Sequence, residues 1–123
     1  MQINKIKATN IDMTDAIKAY VEEKFLGLAK FTINYEPAAT ADIEIGKTSE
    51  HHQKGEIYRC EVTMQIPGDL LRVDVTAEDL YAAIDKAKDL LKEQLAEKKD
   101  AMLERRHSAG EELDVTEDTT ASI

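Results

Sequence analysis

The sequence predicts an α+β domain of order β-α-β-β-β-α, a four-stranded sheet with two helices on one face. Three observations carry that prediction. Several short stretches alternate apolar and polar residues with a period of two, which is the strand signature. Two other stretches, one near the start and one of some thirty residues beginning at Thr76, repeat apolar residues at helical intervals. One side of every predicted strand is polar, so the sheet is covered on the other side only, and both helices must pack there.

Residues 2–9 (QINKIKAT) read as a short strand with Lys5 and Lys7 on one face and Ile6 and Ala8 on the other. The first helix follows Thr14 as N-cap, with Asp15 favourable in its first turn. Ala16, Ile17, Tyr20, Val21, Phe25 and Leu28 form its apolar stripe, and the helix is expected to fade near Lys30. Asn34-Tyr35-Glu36-Pro37 connects to the sheet, and this first β-α-β step is expected to cross over in the right-handed sense.

Three strands come next. Ala39 to Lys47 sets Ala41, Ile43 and Ile45 against Asp42 and Glu44. Lys47 to Gly55 reads as a longer polar loop. Glu56 to Ile66 turns Tyr58, Cys60, Val62, Met64 and Ile66 inward and Arg59, Glu61, Thr63 and Gln65 outward. After the Pro67-Gly68-Asp69 turn, Leu70 to Thr76 sets Leu71, Val73 and Val75 against Arg72, Asp74 and Thr76, closing a hairpin.

Thr76 to His107 contains neither Gly nor Pro and is rich in Ala, Leu, Lys and Glu. Thr76 and Asp79 form a capping-box variant, and Arg105, Arg106 and His107 place cations at the helix end. At the usual rise such a helix is a rod of roughly 45 Å, expected to cover the sheet with its first half and project with its second. A step of about 100° per residue gathers Ala83, Ile84, Ala87, Leu90, Leu91, Leu95 and Met102 on one arc. Asp89, Glu93, Glu97, Asp100 and Glu104 fall opposite, and Lys88, Lys92, Lys99 and Arg106 line a narrow stripe between them. That stripe is either a solvated face with i,i+4 ion pairs or a ladder of cations spaced to follow a nucleic-acid backbone.

Composition narrows the function. The chain of 123 residues holds a single domain with a modest core. It has no apolar run long enough to span a membrane and no secretory h-region. A lone cysteine, Cys60, excludes an internal disulfide and fits a reducing cytoplasm. The net charge of −9 opposes nucleic-acid binding, yet all 16 Lys and Arg precede Gly110 while five acids crowd residues 110–123. Setting those five aside leaves 20 acids against 16 bases, so any RNA contact relies on a local patch. The expected division is residues 1–109 as the folded domain and 110–123 as a disordered acidic tail.

No catalytic constellation, phosphate loop or metal-ligand spacing is present, so neither an enzyme nor a cofactor is expected. His51 and His52 are adjacent on an extended chain, point apart and lack further ligands. His107 joins the cationic tip, and the inward parity of Cys60 makes it an inert thiol. Asp85 and Asp89 lie one turn apart and read as solvated acids. Tyr20 and Tyr58 read as core, Tyr35 and Tyr81 as partly exposed, and no aromatic platform for base stacking is formed.

Residues 10–31 (NIDMTDAIKAYVEEKFLGLAKF) and 77–100 (AEDLYAAIDKAKDLLKEQLAEKKD), with the strands between them, carry a resemblance spanning about residues 1–107. They resemble the ribosome hibernation-promoting factor and ribosome-associated translation inhibitor family, in its short form. The resemblance implies a double-stranded-RNA-binding-like fold that sits in the decoding cleft of the small ribosomal subunit. There it contacts rRNA, occludes mRNA and tRNA under stress or in stationary phase, and makes or breaks no bond. It implies a cytoplasmic protein, monomeric off the ribosome, with no DNA, membrane or small-molecule partner. The family's cationic positions match Lys24 and Lys30 on the first helix and Lys99 on the second. Lys88, Lys92, Lys98, Arg105 and Arg106 join them from the stripe and the helix tip.

This chain departs from the family at Leu90, Glu93 and Glu97, where Lys or Arg is common. Fewer neutralised phosphates mean weaker binding or a shifted surface. The alternative is a protein-interaction adaptor on the same scaffold that works through the polar sheet face or the acidic helix sector.

Overall fold

The computed structural model describes residues 1–52 and 55–108, with side chains described through Thr48 and from Gly55 to Ala101. The expected tail, 110–123, lies outside the described residues. The chain runs β1 (Gln2–Thr9), α1 (Asp15–Leu26), two short 3-10 turns (Ala29–Phe31 and Ile33–Tyr35), β2 (Thr40–His52), β3 (Gly55–Ile66), β4 (Asp69–Ala77) and α2 (Leu80–Ser108). The strands lie side by side in sequence order, β1 parallel to β2 and the remaining pairs antiparallel. This is the α+β architecture the sequence predicts.

Cross-strand register stacks the apolar residues in rows. Ile3, Ala41, Met64 and Leu71 form one row, Ile6, Ile43, Val62 and Val73 the next, and Ala8, Ile45, Cys60 and Val75 the third. Ile3 and Ile6 differ by an odd number of positions, so a regular strand would turn them to opposite faces. The register shift between Ile3 and Lys5 absorbs one residue, and both pack against the core. Val21, Phe25 and Leu28 from the first helical segment, and Leu80, Ala83, Ile84, Ala87, Leu91 and Leu95 from α2, bury against these rows. Among the described side chains of α2 the last buried one is Leu95.

Five local expectations need correction. Helix α1 ends at Leu26 rather than near Lys30, because Gly27 caps it and the chain tightens into the 3-10 turns. The predicted loop 47–55 is mostly strand, since β2 continues to His52 and pairs through His51 with Glu56 after a register shift. His51 and His52 are therefore strand residues whose side chains lie outside the described ones. Thr76 belongs to β4, and Asp79 starts the second helix, its Oδ1 accepting from Tyr81 N at 3.2 Å and its carbonyl from Ala83 N at 3.0 Å. Ala16 is exposed, since in the first turn of α1 it is Ile17 that packs against the core. Leu90 is 37% exposed, because its flank of α2 runs along the free edge of β4.

That flank accounts for another cation. Lys86 Nζ donates to Thr76 O at 3.4 Å, Gln94 Nε2 donates to Arg72 O at 3.3 Å, and Lys98 pairs with Asp69. Eight helical residues rise about 12 Å and four strand residues about 13 Å, so the spacings match and polar side chains occupy the edge carbonyls of β4.

The face of the sheet away from the helices is an ionic lattice. Lys7, Glu44, Glu61 and Asp74 stand in one cross-strand row, which sets like charges opposite one another. The guanidinium of Arg59 relieves this by reaching Asp74 at 2.7 and 2.8 Å and Glu61 at 3.2 Å, while Arg72 also pairs with Glu61. Arg59 holds the Asp74 carboxyl below the usual carboxylate range. Cys60 is fully buried beneath, and burial pushes its thiol up to about 12, so it stays protonated and inert.

Candidate nucleic-acid interface

The two helices meet along a seam on the side away from the sheet. Near its start Tyr20 and Tyr81 cross edge to face with centroids 4.7 Å apart. The Tyr20 hydroxyl donates to Asp85 Oδ1 at 2.7 Å, and this bond with burial pushes the phenol up to about 12. Asp85 is thus tied into the helix–helix contact, unlike the solvated acid read from the sequence. Tyr20 and Tyr58 are half-buried at the margin of the core rather than inside it.

Further along, the 3-10 turn after α1 brings Lys30 and Phe31 beside α2. The turn is held from below by the buried Thr32, whose hydroxyl lies 3.0 Å from Ala29 O and 2.8 Å from Glu36 Oε2. The Met1 amino group and Thr32 together hold the Glu36 carboxyl below its ordinary range. Phe31 is half-buried against the core, and two ammonium groups approach its ring. Lys30 Nζ lies 5.3 Å and Lys92 Nζ 5.6 Å from the centroid, both within cation–π range.

The structure sorts the sequence-predicted cations by their partners. Lys24 lies 4.0 Å from Asp85 and 5.2 Å above the Tyr20 ring. Lys88 pairs with its neighbour Asp89 at 3.4 Å, and Lys98 pairs with Asp69 on the far flank. Among the described residues no carboxylate pairs with Lys30, Lys92 or Lys99. Lys92 and Lys99 stand seven residues apart, and so on one side of α2. The side chains of Arg105 and Arg106 lie outside the described ones. Sequence reasoning named all these cations but missed Phe31, the residue on which two of them converge. The aromatic directly after Lys30 was the available signal.

Among the described residues no group of three His, Cys, Asp or Glu side chains could hold a metal ion, and no helix is long and apolar enough to cross a membrane. A cleft lined by Thr9, Glu44, Gly46, Arg59 and Glu61, with a volume of about 280 Å³, lies in the internally paired lattice of the opposite face.

The family described as sigma 54 modulation protein / S30EA ribosomal protein matches residues 4–102. The chain belongs to this family. A ribosome hibernation promotion factor of Deinococcus radiodurans is 33% identical over 107 residues, covering 86% of this chain and 53% of that protein. A ribosome hibernation promoting factor of Azotobacter vinelandii is 31% identical over 105 residues, covering 85% of this chain and 89% of the other. The chain spans about half the length of the Deinococcus relative and of a Lactococcus lactis one, 53% and 49%. Among solved structures, the N-terminal domain of Thermus thermophilus Protein Y superposes with a TM-score of 0.64 at 34% identity, covering 77% of this chain and 96% of that domain. A ribosomal subunit interface protein from Coxiella burnetii, at 16% identity and a TM-score of 0.61, shares the fold.

Proposed function

We propose that this S30EA-family protein is a ribosome hibernation factor that inhibits translation. It binds the small ribosomal subunit through rRNA phosphates in the decoding cleft, occluding mRNA and tRNA under stress or in stationary phase. The single observation that supports this best is the pair of cations Lys30 and Lys92, without a carboxylate partner among the described residues, gathered on Phe31 at the helix seam. Lys99 extends the line along α2, Lys24 and Lys88 border it, and Arg105 and Arg106, later on the same helix in sequence, are proposed to add to the contact. Lys98, engaged with Asp69, contributes least.

The named relatives point the same way, and the action is steric. Phosphate oxygens meet ammonium groups, counterions leave, and a rigid helical layer occupies space that mRNA would take. No cofactor, small-molecule substrate or membrane enters, and the protein acts in the cytoplasm as a monomer off the ribosome. DNA is not its partner. Residues 1–109 carry the activity, with 110–123 as an acidic tail.

Added to a purified translation system at a small excess over ribosomes, the protein is expected to suppress synthesis of a reporter, and preincubation of ribosomes with mRNA and initiator tRNA is expected to protect them. Undiminished synthesis at every ratio would contradict the reading. Capture of a protein partner that tolerates high salt would favour the adaptor instead.

A further inference from the structure

We propose that Phe31 is a positioning residue for phosphate recognition, holding Lys30 and Lys92 as one preformed clamp; this rests on the functional reading above. The two ammonium groups come from different elements, the 3-10 turn and α2, and repel one another. They share a site because one aromatic ring attracts both, at 5.3 and 5.6 Å from its centroid. Neither charge is answered by a carboxylate among the described residues. Two cations gathered without a counter-charge suit a phosphate group, or two consecutive phosphates of one strand, with no demand on base identity.

The ring acts through order. Free lysines lose rotamer freedom when they engage a phosphate, and a long side chain already seated on a ring loses less. Phe31 itself touches no ligand. Its own place is set by the core on one side and by the Thr32–Glu36 contact beneath the turn.

The test compares Phe31→Leu, Phe31→Tyr and Lys92→Gln for binding to purified small ribosomal subunits across a salt series, with melting curves for each variant. Phe31→Leu keeps both cations, so affinity is expected to fall about tenfold, the ordering cost of two long side chains, with the slope of log K against log salt unchanged. Lys92→Gln removes a cation and is expected to reduce that slope by about 0.7–0.9. Phe31→Tyr keeps the ring and is expected to bind like the parent. In the parent, NMR is expected to show the Lys30 and Lys92 Hε resonances displaced upfield by the ring. Lys Hε resonances at ordinary positions would overturn the proposal even if Phe31→Leu failed to fold. So would parent-like binding by folded Phe31→Leu, or a slope that falls with its affinity. A parent protein that ignores small subunits in dilute salt removes the function and the clamp together; normal parent binding with an indifferent Phe31→Leu removes the clamp alone.

Discussion

Reversing both clamp charges, in the double variant K30E/K92E, is expected to weaken binding to small ribosomal subunits by at least about a hundredfold, since each charge-assisted hydrogen bond to phosphate is worth about 1.5 kcal/mol. Both residues are exposed and neither supports the core, so circular dichroism and melting curves are expected to match those of the parent. The size of the effect follows from what stands nearby. Residues 1–109 are net acidic, and two of the seam cations are answered by carboxylates, Lys24 by Asp85 and Lys88 by Asp89. On the helix seam Lys30, Lys92 and Lys99 have no such partner among the described residues, so each carries a large share of the attraction there. Lys98→Glu serves as contrast. It breaks the pair with Asp69 and costs less binding than either clamp residue. Equal weakening from all three positions would mean that general charge governs the interaction.

Replacing Gly46 by alanine is expected to destabilise the domain by about 3 kcal/mol and lower the melting temperature by about 10 °C or more. Gly46 sits on β2 opposite Thr9 of β1. A Cβ there would lie 2.1 Å from Thr9 O and 3.0 Å from Thr9 C, both backbone atoms that no rotamer change can clear. β1 would have to leave β2 at this point, taking with it the Thr9 Oγ1 bond to Glu44 Oε2 at 2.6 Å. Urea unfolding measures the cost directly. A change below about 0.5 kcal/mol, the scale of an ordinary surface substitution, would show that the two strands do not approach so closely.

Much of this was legible in the sequence because it depended on periodicity. The alternation in 56–66 and 70–76 marked the β3–β4 hairpin, and the parity of Cys60 marked its burial. The Thr14 cap stands as read, with Ile17 N donating to Thr14 Oγ1 at 3.1 Å. What escaped depended on packing between distant elements. Gly46 lies mid-strand with no local mark except its type, and only the closeness of β1 explains it. Lys98 belongs by spacing with the other cations of α2, yet the β4 edge claims it. The strands on either side of residue 50 are polar on both faces, so alternation gave no signal and the stretch read as a loop. Phe31 was missed for a related reason: an aromatic after a helix reads as a hydrophobic anchor, and its second task exists only once α2 brings Lys92 alongside.

The central claim is that a net-acidic domain holds ribosomal phosphates through a few uncompensated lysines on its helical layer. Co-sedimentation of the purified protein with small ribosomal subunits, repeated from dilute to physiological salt, tests it most directly. Tight binding in dilute buffer is predicted, with log K falling linearly against log salt and a slope of about −2 to −4, as expected for three to five phosphate contacts. Absence of binding in dilute buffer, or affinity indifferent to salt, would contradict the account.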